Sequence, residues 1–343
     1  AASDVYKRQV IDIVINEIIT LCGGLILKRK AIIFITLSLI LILSGCSKSI
    51  NSSKKDNVNS HNKMKIYTTV FAFQSFIEQI GGKYVDVESI YPPGADLHSY
   101  EPTQKDMINI AKSDLFIYSS DGLDPVSAKI TQSMENKNMK LALASDLNQK
   151  ELIHSDDHDE DEGHNHAETE NDPHVWLDPV LDRIFAEKIK DKLIQKDPKH
   201  KSYYEKNYKK LDKDVANIDK KMQKITKSPK REKIIISHDS LGYLTHRYHF
   251  KQEGVNGMND EEPSQKKILS IVKNIKNSKS PYVLYEQNIT SKITDVIKKE
   301  TDTQPLSFHN LAVLTKKEKD NQSITYQSLM KKDIESLDKA LNQ

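Results

Sequence analysis

The sequence predicts an α/β protein of two lobes, each on a mostly parallel sheet, joined by one long backbone helix with a cleft between them. Three observations carry this. Short β-rich runs alternate with helical stretches from Met64 onward and again from Lys233 onward, the pattern of parallel strands with crossover helices. Between the two series lies one long, charged segment of helical spacing, Pro179–Lys227. The chain has 343 residues, 37% of them hydrophobic, which is length for two domains and enough apolar material for a core.

The elements follow in order. Lys65–Val70 reads as a strand, Phe71–Ile80 as a helix stopped by Gly81-Gly82, and Val85–Tyr91 as a strand closed by Pro92-Pro93-Gly94. Thr103 and Asp106 have capping-box spacing and open a helix to about Lys112. Asp114–Ser119 and Lys140–Ala144 are further strands, completing a first lobe over 64–180. In the linking region 181–228 a helix breaks near Asp197-Pro198 and resumes, with apolar positions such as Ile189, Leu193, Leu211, Val215, Ile218 and Met222. Its lysines form a solvated face. The second lobe, 229–343, holds strands at Lys233–Ser237, Pro281–Glu286 and Gln304–Phe308. Its helices are Gln265–Lys276, Thr290–Glu300 and a last one from about Ser323.

The N-terminal part carries an address. Lys28, Arg29 and Lys30 precede an apolar stretch, Ala31–Leu43, too short to span a bilayer comfortably. Leu43-Ser44-Gly45-Cys46 follows and resembles a bacterial lipobox. That resemblance implies a signal peptide over 28–45, cleavage before Cys46, and a lipid joined to its thiol. The alternative is an uncleaved anchor helix, which leaves the protein on the same side of the membrane. Residues 46–63, polar and without periodicity, read as a flexible tether. Residues 1–27 do not fit: no Met precedes Met64, and Asp12 and Glu17 interrupt the apolar pattern. They are read as an upstream extension outside the fold. Cys22 and Cys46 are the only cysteines, so the expected mature domain has no disulfide and no thiolate metal ligand. With 51 Lys+Arg against 49 Asp+Glu the net charge is +2, which gives no electrostatic footprint for nucleic acid.

The segment from His154 to His174 packs imidazoles and carboxylates into a run that cannot bury a core. His154, His158, His164 and His166 fall within thirteen positions of its acidic loop, 154–171. Imidazole with carboxylate suits borderline divalent metals, zinc above all; the plain alternative is a solvated acidic loop. Three other histidines sit after a strand or at a proline-constrained turn. His98 lies in PPGADLHSYEP, His174 in DPHVWLDP, and His238 follows the strand KIIIS. Singly each would ordinarily be a surface or core residue, and they converge only if the lobes face one another. His61 lies in the tether, His200 reads as a solvated helix residue, and His246 and His249 as structural or exposed. Trp176, the single Trp, is expected to pack in the core close to His174.

With PPGADLHSYEPT, the acidic His-rich loop, DPHVWLDP, IISHDSLGYLTHRY, DEEPSQKKI, LYEQNITSKI and HNLAVLT in this order, the chain resembles the solute-binding lipoproteins of zinc/manganese ABC uptake systems, the ZnuA/AdcA-like group. The resemblance covers about Met64 to Leu341. It implies two lobes on a rigid backbone helix, with metal between them held by His98, His174 and His238. It also implies delivery of Zn²⁺ to an ABC permease by a lipid-anchored extracytoplasmic protein that is not an enzyme, expected as a monomer. Manganese-type relatives have a carboxylate at the third position; His238 there favours Zn²⁺. Many relatives carry a Glu where this chain has Ala312, so the fourth ligand is expected to be water, a loop residue or a shifted side chain such as His309. Glu101, Asp178, Asp239 and Glu286 are candidate acceptors for the second N–H of the ligand histidines, with helix caps and solvated carboxylates as the plainer reading. The loop histidines become an auxiliary metal collector. Two alternatives are a manganese-uptake or adhesin-like protein and a three-His zinc hydrolase that activates water. Against the latter there is no HExxH motif and no general base tied to a ligand.

Overall fold

The computed structural model describes residues 58–59, 62–134, 136–148, 151–153, 171–278, 280–287, 292–321 and 323–343. The upstream extension, the signal peptide, Cys46, His61 and the loop histidines His154, His158, His164 and His166 lie outside these residues. Residues 57–343 form one compact unit.

The first lobe contains β1 (Met64–Thr68), α1 (Phe71–Gly81), β2 (Val85–Ser89), α2 (Gln104–Ala111), β3 (Leu115–Tyr118), α3 (Pro125–Gln132) and β4 (Lys140–Ala142). Its four strands are parallel, in the order β2-β1-β3-β4. Two helices follow, α4 (Pro179–Lys196) and α5 (Lys201–Thr226). The second lobe has β5 (Lys233–His238), α6 (Gly242–Tyr248), β6 (Lys251–Asn256), α7 (Gln265–Ser278), β7 (Tyr282–Glu286), α8 (Lys292–Thr301), β8 (Gln304–Phe308), α9 (Lys316–Lys319) and α10 (Tyr326–Asn342). Its parallel order, β6-β5-β7-β8, repeats that of the first sheet. In each sheet the chain steps from the central strand to one side and then crosses back. That places a reversal of strand order beside β1 and beside β5, where open α/β sheets bind ligands.

Local chemistry explains the boundaries. Gly82 ends α1 at φ 52°, and a Cβ there would run into the Tyr203 hydroxyl, so only glycine fits. Thr103 and Asp106 form the expected capping box on α2. The linking segment breaks at Pro198, which opens a single 3-10 turn, Pro198–His200. His200 is more than a solvated residue. Its ring stacks on Tyr84 at 3.8 Å, and its Nδ1 lies 2.6 Å from Asp197, which also accepts from the Tyr204 hydroxyl. Elements absent from the sequence reading are α3, α6, α9 and β6. The edge strand β6, KQEGVN, carries only two buried residues and so shows no clean alternation. The helix α6 spans only 7 residues, too few for periodicity to register.

One apolar cluster runs through both lobes, from Ile66 and Phe73 through Phe185, Tyr204 and Val215 to Ile236, Leu329 and Leu341. A smaller one, of Ile235, Val255, Ile271, Ile275, Val283 and Ile297, fills the space between the second sheet and its helices. The Phe73 and Phe185 rings meet edge-to-face at 5.9 Å, and Phe76 packs on Tyr326 at 4.8 Å, which ties α1 to the linking region and to the last helix. No helix among the described residues is long and apolar enough to cross a membrane. Phe185 is fully buried. Phe185→Ala is therefore expected to lower stability by about 3–5 kcal/mol, read from the urea midpoint of unfolding.

Candidate metal centre

Each of the three predicted histidines is positioned by a different device. His238 is the last residue of the central strand β5, at the carboxyl edge of the second sheet. His98 lies between β2 and α2, in a turn held by Asp96, whose carboxylate accepts from the His98 N–H at 2.9 Å and the Ser99 hydroxyl at 2.7 Å. His174 precedes the 3-10 turn Val175–Leu177, and its N–H donates to Asp172 Oδ1 at 2.8 Å.

The fold brings them together. Ring centroids are 5.7 Å apart for His98–His174, 5.2 Å for His98–His238 and 5.0 Å for His174–His238. One ligand atom from each lies within 4.8 Å of the others, the one such group among the described residues. A tetrahedral zinc with Zn–N of about 2.0–2.1 Å sets ligand nitrogens about 3.3 Å apart, so a small side-chain rotation closes the shell.

Hydrogen bonds orient the rings. His174 Nδ1 lies 2.7 Å from Asp172 Oδ1, and His238 Nδ1 lies 3.2 Å from Glu286 Oε2. Each carboxylate accepts from the Nδ1 it faces, and on His174 this turns Nε2 toward the shared space. The Nε2 atoms of His98 and His174 are buried without a hydrogen-bond partner among the described residues. Burial first, and then the neighbouring histidines, lowers the pKa of His98 and of His174 to about 3. Both are neutral, as a ligand must be. Burial also disfavours charge on His238, but the Glu286 carboxylate outweighs it and raises His238 to about 9. Its Nε2 sits 2.8 Å from the Met258 carbonyl. Glu286 is itself well supported. It accepts from the Ser240 hydroxyl and from Asn310 Nδ2 at 2.9 Å. Despite burial, which opposes its charge, His238 holds Glu286 below the usual carboxylate range.

Of the four expected acceptors, Glu286 touches a histidine and three do not. Glu101 is exposed and lies 3.3 Å from Lys129 Nζ. Asp178 caps α4 through the Val180 and Leu181 N–H groups and pairs with Arg247, a cap rather than a histidine support. The Asp239 carboxylate oxygen Oδ1 is buried with no partner among the described residues. Asp172 takes the place these were expected to fill. It stands two residues before His174, across Pro173, so the signal was within the quoted motif, but its reach to Nδ1 depends on the loop conformation. Tyr243 donates to the Asp172 carbonyl at 3.2 Å. A Cβ on Gly242 would strike the Asp172 carboxylate, so glycine at the start of α6 permits the close approach.

His309 does not join the cluster. Its Nδ1 accepts from the Leu311 N–H at 2.9 Å, and its Nε2 lies 3.4 Å from Glu318 Oε2. That is an ion-pair distance rather than a well-formed hydrogen bond, yet it is the leading reason the Glu318 carboxyl falls to about 2. His309 is thus turned to Glu318 rather than into the fourth corner. Ala312 is buried and lines a small cavity together with His98, Asp96 and Asn310. Trp176 is buried as expected; its Nε1 donates to the Asn310 carbonyl at 2.7 Å, and its ring lies 5.3 Å from that of His174.

Residues 66–340 match the model of a protein family described as zinc-uptake complex component A, periplasmic. The chain is 29% identical over 320 residues to the high-affinity zinc uptake system protein ZnuA of Bacillus subtilis, covering 92% of this chain and 98% of that protein. It is 28% identical over 308 residues to the zinc-binding lipoprotein AdcA of Streptococcus pneumoniae, covering 88% of this chain and 59% of that longer protein. Among solved structures, the metal-dependent lipoprotein YcdH of Bacillus subtilis superposes with a TM-score of 0.67 at 28% identity, over 81% of this chain and 99% of that one. The Zn(II)-bound ZnuA-like domain of Streptococcus pneumoniae AdcA does so with a TM-score of 0.68 at 24% identity, over 82% and 100%, a likeness of fold.

Asp172→Ala is expected to weaken metal binding about 10–100-fold through loss of the Nδ1 acceptor, whereas Glu101→Gln is expected to leave it unchanged. Competition against a chelating zinc dye reads both.

Proposed function

This chain belongs to the zinc-uptake complex component A family, the zinc-binding, solute-binding components of ABC import, and on that premise we propose that His98, His174 and His238 are its cargo ligands. The observation that supports this assignment is the meeting of three imidazoles from three separate segments, two of them with a buried, partnerless Nε2. Zinc is the substrate here: it is held and released unchanged. Three imidazole nitrogens suit Zn²⁺ over Mn²⁺, which prefers oxygen, and binding displaces the proton that His238 holds beside Glu286. The fourth position, beside Ala312 rather than a carboxylate, is taken by water. A hydrolase would need that water activated by a base, and the nearby carboxylates Asp172 and Glu286 are engaged on histidines.

The protein works outside the cytoplasm with an ABC permease. We assign the finer picture from the sequence: a lipid on Cys46 holds it to the membrane, residues 46–63 tether the folded part, and the domain acts as a monomer. The loop histidines His154, His158, His164 and His166 collect zinc at low affinity and pass it to the cleft.

Calorimetry on the mature domain tests the assignment. One tight zinc equivalent is expected, retained against excess Mn²⁺ and lost when His98, His174 and His238 are all replaced by Ala. Tight binding that survives the triple replacement sinks the ligand set; a preference for Mn²⁺ favours the manganese reading. Deleting residues 155–170 is expected to remove weak zinc equivalents and leave the tight one. Loss of the tight site on deletion would assign those histidines to the cleft itself. Trp176, beside His174, supplies a fluorescence signal for the same titrations.

A further inference from the structure

One face of α5 serves neither the core nor the metal centre. Lys206, Lys210, Lys213, Lys220, Lys221 and Lys224 are all exposed. At about 100° per residue they fall within about 100° of the helix circumference and run for about 27 Å along it. Tyr204, Leu211, Val215, Ile218 and Met222 bury the opposite face. The acids of the helix do not neutralise the row. Asp212 is held by Arg183, Asp219 accepts from the Tyr248 hydroxyl, and Glu205 pairs with Lys201. Asp214 stands beside the row, yet among the described residues none of the six lysines forms an ion pair with it or with any other carboxylate. Lysines three or four apart repel, as Lys206 with Lys210 and Lys220 with Lys224. A face that merely meets water avoids that repulsion by alternating its charges.

The place of the row matters as much as its charge. The chain enters the fold at Met64, the first residue of β1, which pairs with Val85. Tyr84, just before Val85, stacks on His200, just before α5. The end of the tether and the start of the lysine helix therefore share one edge of the first sheet. The far end of α5 leads to the first residue of β5, whereas His238 is the last residue of that strand. The row thus runs along the amino edges of the sheets, and His238 stands at the carboxyl edge. At the far end of the row a groove opens between α5 and α10. It has Ile225 and Ile334 in its wall and three lysines, Lys221, Lys224 and Lys227, against one carboxylate, Asp338.

We propose that this lysine row is a membrane-facing surface, by which the domain lies on the anionic phospholipid headgroups of the bilayer. The choice of a bilayer rests on the lipid anchor assigned above to Cys46. The tether brings the start of α5 to that surface and raises its local concentration there. A straight row of unpaired ammonium groups suits a plane of phosphates, and clusters of about four to eight lysines are the pattern that binds anionic lipid. The groove sets apolar wall beside ammonium groups, a pairing that fits the boundary of headgroup and acyl chain. In this pose His238 is on the side away from the bilayer. Neither the row nor the groove contributes a ligand, so membrane contact and zinc binding are separable by mutation.

The test is co-sedimentation of the mature chain, residues 46–343 with Cys46→Ser so that no lipid takes part, with large vesicles. Vesicles of phosphatidylcholine alone are compared with equal parts of phosphatidylcholine and phosphatidylglycerol. Binding is expected to be about tenfold or more tighter on the anionic vesicles and to weaken with added salt. Lys206→Gln together with the same change at the other five positions is expected to abolish that preference, and Arg at all six to keep it. A control with the same change in net charge, Lys→Gln at the exposed Lys105, Lys112, Lys137, Lys298, Lys299 and Lys317, is expected to bind within about twofold of wild type. All variants are expected to bind one tight zinc and to melt with wild type. If the sixfold variant does not fold, Lys220→Gln with Lys221→Gln and Lys224→Gln carries the same comparison. No preference of the wild-type chain for anionic vesicles, a preference that survives the six changes, or an equal loss in the control each overturns the assignment. Capture by soluble polyphosphate with none by vesicles also overturns it and moves the partner to a polyanionic chain. Labelling with radioactive palmitate in cells tests the anchor by itself. A chain that takes up no label on Cys46 overturns the anchor and leaves the vesicle result standing.

Discussion

Three imidazoles packed within 5.0–5.7 Å of one another in a shielded space cannot all carry charge. Most of what surrounds the centre answers that constraint. Burial keeps His98 and His174 neutral, and the charge that remains falls on His238, facing a carboxylate held by Ser240 and Asn310. The arrangement is incomplete as a piece of protein. Two Nε2 atoms are buried with no partner among the described residues, each costing about 1–3 kcal/mol. A cation bound between them removes that cost, and this is the physical reason to read the cluster as a receptor rather than as core histidines.

The fold supplies rigidity at one level and freedom at another. The continuous apolar cluster ties α1, the linking helices and α10 into one body. The histidines themselves come from a strand end and two turns, with His174 and His238 buried. Contacts between the lobes close around the centre: Tyr243 on the Asp172 carbonyl, Gly242 against the Asp172 carboxylate, and Trp176 on the Asn310 carbonyl; within the second lobe Asn310 in turn donates to Glu286. His174 and His238 are thereby linked through their supports as well as through the space they share.

The missing carboxylate is equally informative. Ala312 stands in the wall of a small cavity with His98, and His309, the nearest imidazole by sequence, is held instead by Leu311 and Glu318. With water in that corner, as proposed above, the site would carry less formal negative charge than a carboxylate corner would give it.

Much was legible in the residues alone. Alternation of strand and helix, the capping box at Thr103, the break at Pro198 and the sequence motifs around His98, His174 and His238 are local signals, and local signals survive in a one-dimensional reading. The short helix α6 and the edge strand β6 were not legible, because their form comes from packing rather than periodicity. The supports of the site divided the same way. Glu101 and Asp178 stood close to motif histidines in sequence yet point to Lys129 and Arg247. Glu286 lies 48 residues from His238 and meets it because β5 and β7 are neighbours. Residue type and spacing determined which side chains could bind a metal. Which carboxylate orients which ring, and that His309 turns to Glu318, was decided only when parallel strands and facing lobes set the distances, since a hydrogen bond depends on separation in space and not along the chain.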